Sequence, residues 1–278
     1  YYRHNVSKNN VDYFFNYLDA NKNQTQLITA NENYKEPQIS NQIELNYVKN
    51  FAKKGKKLTA NVQYDFWNDD ENELISERSE TPTPTAKTIK SRDIESSKDV
   101  VFQSDMSFPF SEKSKFDIGI KGEIRRINSD YIVWDNAVQI DSLTNLLHYD
   151  ERIFGVYSQY SNGYKKFQYQ LGLRAEHFNT GSSDLKNEFR TDKNYTKLFP
   201  TIHITYEIKN NFNIQLSYSR RIDRPSFYQL NPFGGIADRR NIRIGNPDLN
   251  PMYIDSYELG TLYKWEKFTL NPSVYHQH

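Results

Sequence analysis

The sequence contains no cysteine. That excludes disulfides and thiolate metal sites, and it suits an exported protein. No apolar run approaches the ~20 residues that a membrane-spanning helix requires. Neither sign of charge dominates: 36 Lys and Arg stand against 35 Asp and Glu, for a formal net charge of +1. Such a balance gives no electrostatic reason to expect nucleic acid or an anionic surface as partner. The chain opens on Tyr1 rather than Met, and no basic segment followed by an apolar stretch marks a signal peptide. Its last residues follow directly on another alternating run, so both ends are expected to be cuts through a longer chain.

Aromatic residues are abundant, with 21 Tyr and 17 Phe, and this argues against disorder. The mean hydropathy is −0.87, which is polar. A polar average with many aromatics is what a β-barrel with a wet lumen and a lipid-facing outer surface shows. The 278 residues suffice for one large all-β domain or two ordinary ones.

Alternation is the dominant pattern. Phe167, Tyr169, Leu171, Leu173 and Ala175 are separated by Gln168, Gln170, Gly172 and Arg174, with Glu176 following. Ile202, Ile204, Tyr206 and Ile208 alternate with His203, Thr205 and Glu207. Phe212, Ile214, Leu216 and Tyr218 alternate with Asn213, Gln215 and Ser217, and similar runs lie at 58–66 and 116–124. Side chains of a strand point to opposite faces with period two, so each run has one apolar and one hydrophilic face. Short connections at 50–57, 111–114, 162–165, 209–211 and 264–267 alternate with long ones at 67–98, 128–149, 179–196 and 224–252. In an up-and-down meander this puts short turns at one rim and long loops at the other, the loop asymmetry of outer-membrane barrels. Aromatics cluster beside the short turns, among them Tyr47, Phe51, Phe108, Phe110, Tyr160, Tyr164, Phe167, Tyr206, Phe212, Tyr263, Trp265 and Phe268. Tyr and Trp favour the membrane–water boundary.

These patterns predict an all-β fold: an antiparallel up-and-down transmembrane β-barrel. About 10–12 strands are expected, two of them near residues 11–18 and 24–30. Residues 1–278 are expected to form one partial barrel domain without a plug. The polar stretch 71–98, with Thr-Pro-Thr-Pro-Thr at 81–85, reads as a mobile surface loop.

Few residues point to chemistry. Arg220, Arg221, Asp223, Arg224 and Pro225 end one strand and open the longest loop. With Arg239 and Arg240 further along, these arginines are the candidates for substrate binding, through an anionic ligand or an interior partner domain. A salt-bridged wall or loop base is the stronger reading, since such ion pairs are common and individually worth little. Asn-Pro pairs at 231–232, 246–247 and 250–251 set turns, and Gly234, Gly235 and Gly245 permit positive φ. The acidic tract 68–73 has oxygen donors suited to calcium but lacks the spacing of a calcium-binding loop, so it reads as solvated loop charge. The six His are scattered. No metal site, cofactor or catalytic residue is indicated and no enzyme is expected, although a triad can escape sequence spacing.

One stretch resembles a known family. Gly245, Asn246, Pro247, Asp248, Leu249 and Pro251, followed by Tyr257, Glu258 and Gly260, match the Gly-Asn-Pro-x-Leu-x-Pro…Tyr-Glu-x-Gly pattern late in the barrel of TonB-dependent outer-membrane receptors. The preceding residues 218–226 and 230–232 resemble the same region. This resemblance implies the branch described as outer-membrane β-barrel proteins of Gram-negative bacteria. It implies a 22-stranded barrel of which this chain is roughly half, an N-terminal plug absent here, and import of a large nutrient such as a siderophore, glycan or peptide. The implied partners are outer-membrane lipid, the plug, the TonB energy-transducing complex and a surface substrate-binding lipoprotein. A non-transporting scaffold or adhesin barrel and a passive porin remain the alternatives.

Overall fold

The computed structural model describes residues 1–79, 83–184, 186, 189–232, 235–238 and 241–278. Thr81, Pro82 and Gly234, singled out above, lie outside the described residues. The chain runs through β1 (Tyr2–Leu18), β2 (Gln24–Asn50), β3 (Lys57–Ser79), β4 (Thr85–Ser111), β5 (Ser114–Asp135) and a short β6 (Val138–Gln139). It continues through β7 (Asn145–Tyr164), β8 (Phe167–Asp184), β9 (Phe189–Lys209) and β10 (Phe212–Asp223). A one-turn helix α1 (Phe227–Leu230) and a small hairpin, β11 (Gly235–Asp238) with β12 (Asn241–Arg243), come next. The chain then returns as β13 (Met252–Lys264), β14 (Thr269–Leu270) and β15 (Ser273–Gln277). All but β11 and β12 form one 13-stranded sheet in which the long strands pair antiparallel with their neighbours in sequence. Among the described residues β1 pairs only with β2, and β15 only with β13.

The register carries the alternation across the sheet. Leu45 lies opposite Val62, Val62 opposite Phe102, Ile120 opposite Val156, Leu171 opposite Ile202, and Leu216 opposite Leu259. The large residues of this face, including Leu45, Val62, Phe102, Ile120, Val156, Leu171, Leu173, Leu216 and Leu259, are 36% to 69% exposed. They make one continuous apolar band, far wider than a water-facing surface carries. The opposite face is polar along the same strands, with Glu123, Arg174, Glu176, Glu207 and Gln215. That face is concave. Within the few residues 224–228 the chain touches Glu176 on β8 and Glu95 on β4, which a flat sheet would hold too far apart.

At one rim the turns are short. Gly55 adopts φ +81° in the β2–β3 turn, a conformation that glycine takes without a Cβ penalty. Aromatic rings gather there: Phe167 lies 4.7 Å from Tyr206, Trp265 lies tilted 3.8 Å from Tyr263, and Trp265 stacks on Phe268 at 4.4 Å.

The other rim departs from expectation. Much of 67–98, 128–149 and 179–196 is strand, not loop. The strands continue well past the apolar band as tall hairpins, β2 and β4 reaching 27 residues each. Beyond the band the convex face meets water and the concave face packs into a buried interior that holds polar residues such as Glu73, Ser79, Ser97 and Asn145 beside apolar ones, so the apolar–polar period fades while the backbone ladder continues. Between β10 and β13 a true long connection occurs, and it folds inward against the concave face.

Candidate functional site

Two of the cavities on the concave face adjoin the 224–251 connection or the strand that leads into it. The first, about 540 Å³, opens between β4, β5, β7, β8, β9 and β10. Its lining includes Asp105, Lys121, Glu123, Tyr157, Arg174, Glu176, His203, Arg221 and Arg224. Here opposite charges meet. Arg174 Nε lies 3.0 Å from Glu176, which also accepts a hydrogen bond from Arg224 Nη2. Lys121 lies 3.5 Å from Glu123, and Arg125 reaches Asp99 at 3.1 Å, Glu123 at 3.5 Å and Glu151 at 3.8 Å. Two guanidinium groups also sit over rings, Arg174 at 5.1 Å from Phe199 and Arg224 at 5.2 Å from Phe178. The Tyr157 hydroxyl donates to Asp105. Its ring occupies the space a side chain at Gly119 would need: an added Cβ there would lie 2.4 Å from Tyr157.

The structure brings the described candidate arginines together at this cavity, with different partners. Arg220, Arg221 and Arg224 all border it. Arg220 turns to Asp255 at 3.8 Å and to the Tyr253 ring at 5.4 Å, beside Tyr218, whose hydroxyl donates to the same Asp255 at 2.8 Å. Arg239 and Arg240 lie outside the described residues.

The connection 224–251 forms a cover over the second cavity. Phe227 and Leu230 of α1 bury against Ile127, Leu147 and Tyr149, with Phe227 edge-on to Tyr149 at 5.5 Å. The turn is started by Ser226, whose backbone N–H donates to Gln229 Oε1 at 2.8 Å. Tyr228 donates to Glu95 at 3.0 Å, and the Ile236 N–H donates to the Tyr131 hydroxyl at 2.9 Å. The Gly-Asn-Pro motif closes back on this turn. Gly245 N donates to Asn231 O at 2.8 Å and Asn246 N to Gln229 O at 2.7 Å. A Cβ at Gly245 would lie 2.6 Å from both the Asn231 and Gln229 carbonyl oxygens, so this approach needs glycine. Asn246 Oδ1 accepts the Asp248 N–H at 2.9 Å, and Lys193 holds the Leu249 carbonyl. Pro247 and Pro251 flank this turn. Further on, Tyr257 packs on Tyr218 at 5.1 Å, Glu258 lies opposite Ser217, and Gly260 opposite Gln215. The motif thus shapes the cover.

Under the cover lies the second cavity, about 320 Å³, lined by Glu32, Tyr34, Glu71, Glu73, Asp93, Ser129, Tyr131, Asn145, Tyr228 and Arg243 among others. Alternation along β3 points Asp69, Glu71 and Glu73 to the concave side, while Asp70 on the convex side pairs with Arg92 at 2.8 Å. The pairing and polar convex neighbours place this part of the hairpins beyond the apolar band. Burial, and then the nearby charges of Asp93 and Glu36, push the Glu71 carboxyl up to about 7. Burial followed by Glu36 raises Asp69 to about 7 as well. Glu95 rises to about 8, chiefly by burial and then by Asp93. Burial and the neighbouring carboxylates also raise the phenols of Tyr34 and Tyr228. Asn145 is 1% exposed, and among the described residues neither amide atom has a hydrogen-bond partner. The residue pattern conceals this pocket because the acidic tract reads as loop charge; the i, i+2 spacing of Asp69, Glu71 and Glu73 was the available signal. Among the described residues no group of three or more His, Asp and Glu is placed to hold a metal ion.

Residues 49–278 match the outer membrane protein beta-barrel family. The chain belongs to that family. Membership in this outer-membrane β-barrel family sets its apolar band in the outer membrane of a Gram-negative bacterium, with the concave face as barrel wall toward the lumen. Solved structures agree in fold. The P. aeruginosa FpvA structure with bound pyoverdine and iron is 11% identical, with a TM-score of 0.54 over 99% of this chain and 41% of FpvA. The copper transporter OprC is 9% identical, with a TM-score of 0.54 over 99% of this chain and 48% of OprC. The chain spans about half the length of the solved receptors it matches. No curated protein matches it in sequence. In fold, the antiparallel meander matches part of these solved receptor barrels.

Proposed function

We propose that this chain forms wall and extracellular cover of a TonB-dependent receptor that imports a large nutrient of the siderophore, glycan or peptide class. The observation that carries the reading is the inward-folded 224–251 connection. It places a structured cover over a polar cavity in the lumen, which a passive water-filled pore does not need. Residues 1–278 are one part of the barrel domain, and further strands complete it, because unpaired strand edges are costly in lipid. A plug occupies the lumen, and the TonB complex supplies energy through it. Arg221 and Arg224 face cargo or plug, and a surface lipoprotein delivers the cargo. The chain has a transport role and no catalytic one.

Conductance of the purified full-length protein in planar bilayers tests this. A plugged receptor stays closed under voltage and conducts only after denaturant loosens the plug. Steady open-channel current from the untreated protein is the porin result and contradicts import. In cells, loss of TonB is expected to reproduce the nutrient-limited growth defect of receptor loss. A defect that persists only with receptor loss supports the scaffold or adhesin reading.

A further inference from the structure

We propose that the pocket beneath α1 binds an organic cation, a primary ammonium or guanidinium group carried by the cargo. The inference rests on the import reading above and names the chemistry of its cargo. Glu32 on β2, Glu71 on β3 and Asp93 on β4 converge on this cavity from three strands. Among the described residues that line it, Arg243 is the only cation. The neighbouring cavity differs, because there arginines and lysines neutralise the acids.

A second observation is independent of charge. Asn145 is 1% exposed and lines the pocket with both amide atoms unpartnered among the described residues. Glu95, two residues from Asp93 on β4, is 5% exposed and leaves Oε1 without a partner among the described residues, while its other oxygen accepts from Tyr228 of the cover. Buried polar groups without partners are costly, and a ligand that supplies the missing bonds recovers that cost. An ammonium or guanidinium group offers N–H donors in several directions, which suits carboxylates spread over three strands and the Asn145 carbonyl. Tyr34, Tyr131 and Tyr228 line the same space, and aromatic side chains attract cations. A bare metal ion fits poorly, since no three donors close to metal-ligand geometry among the described residues. At about 320 Å³ the pocket takes a charged head group and leaves the body of a larger cargo in the lumen.

The test uses the purified full-length receptor in detergent, with spermidine as probe and calorimetry as readout. Saturable binding is expected. Glu71→Gln and Asp93→Asn are each expected to weaken it at least tenfold, and Asn145→Leu to weaken it without changing charge. Asp70→Asn, adjacent to Glu71 but on the convex face, leaves binding unchanged. Retained heat-modifiable gel migration shows that each variant is folded. Absence of saturable spermidine binding by the wild-type protein overturns the proposal. So does an equal loss in Asp70→Asn, which marks diffuse attraction to an acidic surface. No TonB is present in this assay, so its failure leaves the conductance test of import standing.

Discussion

The two lumenal cavities differ in how they treat buried carboxylates. In the first, Glu176 is held by Arg174 and Arg224, and Arg125 serves Asp99, Glu123 and Glu151. In the second, Glu32, Glu71 and Asp93 lie mainly among phenols and each other. Paired charge fixes a wall: each side chain is held by its partner, and the cavity keeps one shape. Unpaired charge has an unfavourable electrostatic energy that a visiting cation relieves. The difference teaches which part of the lumen is scaffold and which part is poised for a ligand.

The strongest break comes from placing charge outside both cavities. Arg174 is stable on the concave face because Glu176 meets it. Leu171→Arg sets the same side chain on the apolar band near mid-strand, and the expected loss is ~2–4 kcal/mol in equilibrium unfolding from lipid vesicles. Gln170→Arg, one residue away on the lumen side, stays within ~0.5 kcal/mol.

A second experiment opposes the cavities directly. Glu176→Ala leaves Arg224 half-buried without its carboxylate, and a loss of about 2–3 kcal/mol is expected, somewhat below that of a fully buried pair. Glu71→Gln removes a charge that has no strong partner, so stability is expected to stay level or rise. Equal losses in the two variants would erase the distinction between the cavities.

Next comes the cover. Gly245→Ala drives a methyl into the Asn231 and Gln229 carbonyls, and about 1–3 kcal/mol of local docking energy is expected to be lost. Limited proteolysis then cuts within 224–251 faster than in the wild type, while the unfolding of the barrel is unchanged.

The smallest effect is the pH response of the second cavity. Burial raises the folded pKa of Glu71 and Asp69 to about 7, above their ordinary carboxylate values, so the folded pocket binds protons more tightly than the unfolded chain. Their contribution to stability is therefore fully present below pH ~4, and it is lost as pH rises through about 7. Protection of the 224–251 cover in hydrogen exchange is expected to be greater at pH 5.5 than at pH 8.5, and Glu71→Gln should flatten that dependence.

The strands were legible wherever one face meets lipid. Around Leu171 and Leu216 the apolar–polar period is strict because the two faces lie in different solvents. Above the band that cause disappears: at Asn68–Asp69–Asp70 and beyond, polar residues occupy the buried concave face as well as the wet convex one, and only the backbone ladder reveals β3. The short turns and their aromatics were readable because glycine and ring placement are local. The inward fold of 224–251 was not, since it depends on Ile127, Leu147 and Tyr149 from distant strands. Asn145 carried no pattern at all; only its burial beside Glu73 and Asp93 marks it.

The assignment of the two faces underlies every step, and the absence of cysteine makes it directly measurable. Single cysteines placed one at a time from Gln168 to Arg174 along β8, in the full-length receptor in lipid vesicles, can each carry an environment-sensitive fluorophore. The account predicts period-two behaviour: quenching by lipid-borne quenchers for Tyr169→Cys, Leu171→Cys and Leu173→Cys, and by aqueous iodide for Gln168→Cys, Gln170→Cys and Arg174→Cys. The inverted pattern, or aqueous quenching at every position, would contradict it.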